Sequence, residues 1–263
     1  MSEFRAVAFL DILGFKDLIA KYSADKIAEK YSRLIDHVNL LNSDLHARFK
    51  EPSLFSSKLT DNRWCISKIF SDSIILIARD GSEESCLRLL VYVWRSLQTC
   101  LSLQMPFRGG IAYDEMFVDE GKEIFLGRAL MKAYELEGSQ EWIGAAIHED
   151  LVEAYPNIFN DDTRPYLKSI FLKYPVPFKG GGIKHLHTIN WRFNLIVEKG
   201  TRSLMPYSLD KGVITKIKNT LEYAENVVRS GVVYFSDDYI PPIELRAFWC
   251  GGSEPPFPHG DDL

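Results

Sequence analysis

No stretch of the chain approaches the roughly 18 to 20 apolar residues that a bilayer-spanning helix needs. The N-terminus shows no charged segment running into a long apolar one, so neither a membrane partner nor a secretory leader is expected. Cysteine is scarce and dispersed: Cys65, Cys86, Cys100 and Cys250 form no CxxC pair, which excludes a zinc knuckle and a secreted disulfide framework. They read as core thiols of a reducing compartment, and the expected location is the cytoplasm. Excess positive charge is missing too. Thirty-one basic against 36 acidic residues leave a formal charge of −5, which argues against a nucleic acid partner held by phosphate neutralisation, though a local basic pocket remains open. There is no GxSxG elbow and no internal repeat. His185 and His187 share one strand face without further ligands nearby, and read as structural. Aromatic residues are scattered along the apolar stripes, where they fill a core rather than form a base-stacking platform.

What is present suits one large domain, or one domain with an appended subdomain. Ala6 to Leu10 is a short apolar strand closed by Asp11-Ile12-Leu13-Gly14-Phe15, a glycine turn into a helix. After Ser23, a good N-cap, apolar residues recur at Ile27, Tyr31, Leu34, Ile35, Val38, Leu41 and Leu45, which predicts a long amphipathic helix to about His46. Lys50 to Asn62, with Pro52, Ser53, Ser56 and Ser57, reads as a loop. Trp64 to Ala78 reads as a hairpin with Ser71-Asp72-Ser73 at its tip. A helix from about Glu83 to Ser102, a strand from Phe107 to Tyr113, a helix from Arg128 to Glu137 opened by Gly127, and a strand at Ala145–Ile147 follow. This order predicts an α+β fold, a mostly antiparallel sheet with helices packed on one face.

Past residue 150 the signal is patchier. Pro175, Pro177 and Gly180-Gly181-Gly182 read as a loop, His185 to Ile196 alternates like a strand, and Ile214, Ile217, Leu221, Ala224 and Val228 form a helical stripe. The tail after Asp238 is rich in proline and glycine and reads as loosely held.

Two acids attract attention. Asp11 and Asp72 each stand where a strand that ought to be buried stops being apolar. Burying one carboxylate costs several kcal/mol unless it is paired or binds a cation, and a second beside it adds repulsion. A divalent ion removes both costs; two acids without a His or Cys cluster suit Mg²⁺ and a nucleotide better than zinc. The alternative is that each acid caps a local turn. Amides at the helix start after Gly14 could hold phosphate oxygens. Lys68, four residues before Asp72 and counted on the same strand, shares its face by the period of two; otherwise it is an edge-strand lysine reaching water.

The residues Phe9-Leu10-Asp11-Ile12-Leu13-Gly14-Phe15, Lys68-Ile69-Phe70-Ser71-Asp72, Arg108-Gly109-Gly110-Ile111-Ala112, Gly127 with the helix ending Glu135-Leu136-Glu137, and Val176-Pro177-Phe178-Lys179-Gly180 together resemble, in order and spacing, the catalytic domain of class III nucleotidyl cyclases. The resemblance covers roughly residues 5 to 195. It implies a cyclase-like domain over 1–195, with a ferredoxin-like core, and a C-terminal α/β extension over 196–263 holding one helix and a loose tail. By the same resemblance Asp11, Asp72 and the Ile12 carbonyl would hold two Mg²⁺ or Mn²⁺ ions. Gly14 and Phe15 would cradle the β- and γ-phosphates, Lys179 would reach the triphosphate, and Lys68 would read the base. The family acts as a homodimer with shared sites.

The departures from the family matter equally. The position that reads a purine amino group falls at or near Ile124, and an isoleucine cannot do so. The positions of the family's asparagine and transition-state arginine hold Met131 and Glu135. Arg128 and Lys132, four apart on one helix face, are the cations expected to substitute; otherwise they are solvated, or partners for Glu135. An intact acid pair with incomplete purine reading, in a chain without a receiver, membrane or sensor domain, is similar to the stand-alone bacterial pyrimidine cyclases of Pycsar anti-phage systems. Those make cyclic UMP or cyclic CMP for a separate effector. The expectations are therefore a uridylate cyclase, a purine cyclase, or a catalytically silent nucleotide-binding module.

Overall fold

The computed structural model describes residues 2–48, 65–103, 105–160, 170–191 and 211–229, all within one compact unit. β1 (Glu3–Ile12) is followed by α1 (Phe15–Lys21), α2 (Ala24–Arg48), the hairpin β2 (Cys65–Phe70) and β3 (Ser73–Ala78), α3 (Glu83–Ser102) and β4 (Phe107–Asp119). Then come β5 (Ile124–Gly127), α4 (Arg128–Ser139), β6 (Gly144–Ile147), α5 (Glu149–Ala154), a 3₁₀ turn (Pro156–Phe159), β7 (Phe171–Pro177), β8 (Ile183–Ile189) and α6 (Lys211–Arg229). The expected loop at 50–62, the tail after Asp238 and Cys250 lie outside the described residues.

The strands form one sheet in the order β2-β3-β1-β4-β6-β8-β7, with β5 folded back on β4. The first four have the order of a βαββαβ ferredoxin-like core, so the expected α+β class is present. All pairs are antiparallel except β4 with β6. Alternation along β1 sorts its side chains onto two faces. Val7 and Phe9 join Ile66, Ile77, Ala112 and Met116 beneath Ala129 and Ala133 of α4. Ala6, Ala8, Leu10 and Ile12 are buried on the opposite face, and the core helices α2 and α3 pack together away from the α4 cluster. Helix α3 is buried almost all round, with Cys86, Leu87, Leu89, Leu90, Val93, Leu97 and Cys100 fully buried and Arg88 and Arg95 nearly so.

Helix α4 comes close to the sheet at Gly110 of β4, which has no side chain beneath it. A Cβ on Gly110 would lie 2.1 Å from the Ala133 carbonyl oxygen and 2.7 Å from the Glu137 nitrogen. Glycine therefore sets how closely the C-terminal end of α4 approaches β1.

Three sequence expectations are corrected. Pro175 and Pro177 are not loop residues but members of β7, paired with His185 and Ile183. β7 ends the sheet, and an edge strand tolerates residues without an amide hydrogen. The strand from Phe107 runs on to Asp119 and turns into β5, hidden in the sequence because Asp114 and Glu115 interrupt its apolar pattern. Asp72 does not share a strand with Lys68; β2 ends at Phe70 and Asp72 lies in the turn.

Helix α6 contacts the sheet domain directly. Tyr223 is fully buried, with ring centroids 4.8 Å from Trp142, 4.7 Å from Tyr174 and 5.5 Å from Trp191.

Candidate active site

Asp11 is the last residue on the α4 face of β1 before the strand ends. The ladders place Ser73 opposite it on one side and Arg108 on the other. Asp72, one residue before Ser73, is fixed by its backbone: the Ile12 amide donates to the Asp72 carbonyl at 2.9 Å. The turn before it is pinned a second time, because the Tyr31 hydroxyl of α2 donates to the Ser71 carbonyl at 2.6 Å. Ser71 adopts φ 56° there. Burial, followed by Asp72 and Asp11, raises the Tyr31 hydroxyl above its usual pKa, so this phenol sits within the field of both acids.

The Asp11 carboxylate is half-buried, and among the described residues it has no hydrogen bond or ion pair. Burial first, then the charges of Glu137 and Asp72, push its pKa up to about 6, against the opposing pull of Arg108 and Lys216. A desolvated carboxylate with two acids around it lacks a positive partner. Among the described residues no group of three His, Cys, Asp or Glu is placed to hold a metal ion. Two carboxylates suffice for Mg²⁺ or Mn²⁺, which take the remaining ligands from water and phosphate. The donor set at this strand end therefore fits a hard divalent cation.

Beside the acids, the chain leaves β1 through Gly14, which takes the left-handed conformation (φ 75°) and opens α1. Nothing lies within 4 Å of where its Cβ would be. The Leu13 amide ties this turn to the Pro106 carbonyl at 2.8 Å, and the first-turn amides of Asp17 and Leu18 return to the Gly14 carbonyl.

The other wall comes from α4. Arg108, 6% exposed, donates through Nε to Glu137 Oε1 at 2.6 Å and through Nη1 to the Gln140 carbonyl at 2.8 Å. Both residues are buried, so the pair is desolvated and each member is held by the other. The chain after β7 returns here: the Lys179 amide donates to the Ser139 carbonyl at 2.8 Å, and Phe178 bridges Gln140. Lys179 is exposed. Tyr31, Arg108, Glu137 and Lys216 were not expected here from the sequence. A buried Arg–Glu pair 29 residues apart leaves no local spacing signal.

The remaining expected residues lie elsewhere on the same face. Lys68 of the edge strand β2 pairs with Glu123 at 2.7 Å and lies 5.1 Å from the Phe125 ring. Two strands across and two residues along from Asp11 put its Cα about 12 Å away. Ile124 starts β5 and is partly exposed. On α4, Met131 and Glu135 point to solvent.

Arg128 and Lys132 pair with neither of those residues. Arg128 Nε reaches Asp114 at 3.0 Å and its Nη2 reaches Glu115 at 3.3 Å. Lys132 reaches Asp114 at 2.7 Å and also pairs with Asp150. Burial alone would raise Asp114, but hydrogen bonds from Lys132, the Glu115 amide and Arg128 bring it down to about 2. Asp114 is six residues along β4 from Arg108, so this cluster stands about 20 Å from Asp11 within one chain. The alternative of Glu135 as their partner does not hold.

No family model and no curated protein matches the chain; it is similar to several solved structures. The catalytic core of a rhodopsin-guanylyl cyclase with converted specificity, in complex with ATPαS, has 13% identity over 72% of this chain and 97% of that one, with a TM-score of 0.49. The guanylate cyclase domain of a rhodopsin-guanylyl cyclase from Catenaria anguillulae, in complex with GTP, has 12% identity over 72% and 97%, with a TM-score of 0.48. The adenylyl cyclase CyaB from P. aeruginosa has 14% identity over 72% and 94%, with a TM-score of 0.43.

Proposed function

We propose that the chain is a metal-dependent nucleotidyl cyclase. It converts a pyrimidine nucleoside triphosphate, UTP ahead of CTP, into the 3′,5′-cyclic monophosphate and pyrophosphate. The observation that carries this is the unpaired, half-buried Asp11, raised to about 6 beside Asp72 at the mouth of a glycine turn. A structural acid would have a partner; among the described residues Asp11 has no hydrogen bond or ion pair, and Asp72 adds like charge.

In this reading Asp11, Asp72 and the Ile12 carbonyl hold two divalent ions. Bound there, the ions supply charge neutralisation and ease ionisation of the ribose 3′-hydroxyl. The chain does the rest. The turn at Gly14 and Phe15 seats the β- and γ-phosphates, and Lys179 adds positive charge to the same group. The 3′-oxygen attacks the α-phosphorus, the bond to the pyrophosphate oxygen breaks, and the hydroxyl proton leaves to solvent. Ile124 withholds the acceptor a purine amino group needs, and Lys68 on its edge strand serves the base.

In one chain the Arg128 and Lys132 side chains are held at Asp114, about 20 Å along the sheet from Asp11, so in this reading they act across a homodimer, each site drawing on both subunits. The product would serve as a second messenger of anti-phage defence in the cytoplasm, read by a separate cyclic-nucleotide-binding effector. A second reading, a catalytically silent nucleotide-binding module, is favoured by the neutralisation of Arg128 and Lys132 by Asp114, Glu115 and Asp150.

Incubation with each of the four ribonucleoside triphosphates and Mn²⁺, followed by assay of pyrophosphate and cyclic product, separates these readings. The expected result is turnover of one pyrimidine. Turnover of ATP or GTP alone makes it a purine cyclase, and binding without turnover makes it the silent module.

A further inference from the structure

The C-terminal helix has no part in the scheme above, yet it is fastened to the end of the sheet where Asp11 stands. The Ile143 amide donates to Thr220 Oγ1 at 2.7 Å, and Asn219 Nδ2 donates to the Glu141 carbonyl at 2.6 Å. The segment these residues grip leads into Gly144, which lies opposite Arg108, which lies opposite Asp11. Lys216 is one turn before Thr220, whose hydroxyl donates to the Lys216 carbonyl at 2.6 Å. Residues 216, 220 and 223 therefore share the face of α6 turned to the sheet end, and the tilt of helical side chains carries Lys216 further toward the helix N-terminus. Lys216 is half-buried, and the helix runs toward it from β8 to β6, and so toward β4 and β1: the Tyr223 hydroxyl donates to the Ile189 carbonyl at the end of β8, and Thr220 accepts from the Ile143 amide just ahead of β6.

The positive charge available at this corner is limited. All three guanidinium nitrogens of Arg108 are engaged, Nε and Nη2 by Glu137 and Nη1 by the Gln140 carbonyl. Lys179 comes from the β7–β8 connection, which is held against the same 139–141 segment. The two carboxylates consume part of the charge of any bound ions, so a triphosphate needs protein cations besides.

We propose that Lys216 is a triphosphate-binding residue, and that α6 is docked on residues 141–143 to deliver it to the phosphate end of the site. This rests on the reading that the site takes a nucleoside triphosphate. The C-terminal segment thereby completes the substrate site rather than merely covering the sheet.

The test measures binding rather than turnover. The four 3′-deoxynucleoside triphosphates, which cannot cyclise, are titrated calorimetrically into the full chain with Mn²⁺, and the tightest is compared with its monophosphate. Lys216→Ala and Lys216→Gln should each weaken the triphosphate about tenfold, as expected for loss of one charge-assisted hydrogen bond, and leave the monophosphate unchanged. Lys216→Arg should keep most of the affinity, and Lys218→Ala, an exposed α6 residue off this face, should match wild type. Equal triphosphate affinity in wild type and both neutral variants overturns the proposal while sparing the cyclase reading. Equal losses for triphosphate and monophosphate, or a fall in melting temperature in both neutral variants, make Lys216 structural and overturn it too. A wild type that binds no triphosphate overturns the cyclase reading along with the proposal.

Discussion

Asp11 is in electrostatic debt until a cation arrives. Its carboxyl titrates near 6 in the folded chain, against about 3.9 in an unfolded one. The folded protein without metal is therefore penalised above pH 6, and the penalty disappears as the pH falls below 4. Asp11→Asn should stabilise the metal-free protein at pH 8 by about 1–2 kcal/mol, the full shift being discounted for solvent screening, and give no gain at pH 4. Thermal melts at the two pH values check this; equal effects at both would mean the acid has a fixed partner. Asp72→Ala should abolish turnover with the melting temperature nearly unchanged, because removing an acid from a metal-free pair relieves repulsion. Both acids were legible in the sequence, as charges at the ends of apolar strands. Tyr31 was legible only as one member of a helical stripe. Its hydroxyl bond to the Ser71 carbonyl, which fixes the turn carrying Asp72, depends on how α2 crosses the β2–β3 hairpin, and no spacing encodes that.

At the scale of elements, β4 decides the geometry. Gly110 admits the backbone of α4, and Gly110→Ala would drive a Cβ into the Ala133 carbonyl. Backbone cannot step aside as a side chain can, so the loss should reach the upper end of the usual overpacking cost, about 3 kcal/mol. Denaturant midpoints check it, and a loss below 0.5 kcal/mol would mean that α4 is not seated on this strand. Farther along β4, Asp114 titrates near 2 in the folded chain because Lys132 and Arg128 hold its ionised form. That stability is present above about pH 4 and is lost as the pH falls through 2. Asp114→Asn should destabilise the protein by about 1–2 kcal/mol at pH 7 and by little at pH 2, read from melts at both. The long helices α2, α3, α4 and α6 and the β2–β3 hairpin were plain in the sequence because their periods are strong, whereas the six-residue α5 is too short to show one. The β7 prolines were misleading because edge position belongs to the sheet, and the β4–β5 hairpin was hidden because Asp114 and Glu115 break the apolar pattern of β4 and β5 is exposed or half-exposed throughout.

For the whole molecule, one chain carries the acid pair at the end of β1 and holds the α4 cations at Asp114, six residues along the neighbouring strand β4 from Arg108. If they serve one reaction, they meet only between subunits. A mixture of an Asp11→Ala chain and a Lys132→Ala chain, each inactive alone, should recover activity through mixed dimers; no recovery would break the shared-site arrangement. The α+β class followed from the order of elements and the ferredoxin-like core from the resemblance, whereas the docking of α6 through Thr220, Asn219 and Tyr223 followed from neither, because it joins segments about 77 residues apart. The central claim is that Asp11 and Asp72 converge on divalent ions beneath a triphosphate. Mn²⁺ titration with the tightest-binding 3′-deoxynucleoside triphosphate, followed by electron paramagnetic resonance, tests it most directly. The account predicts two ions per chain in wild type and fewer in both Asp11→Asn and Asp72→Asn; the same count in all three proteins would contradict it.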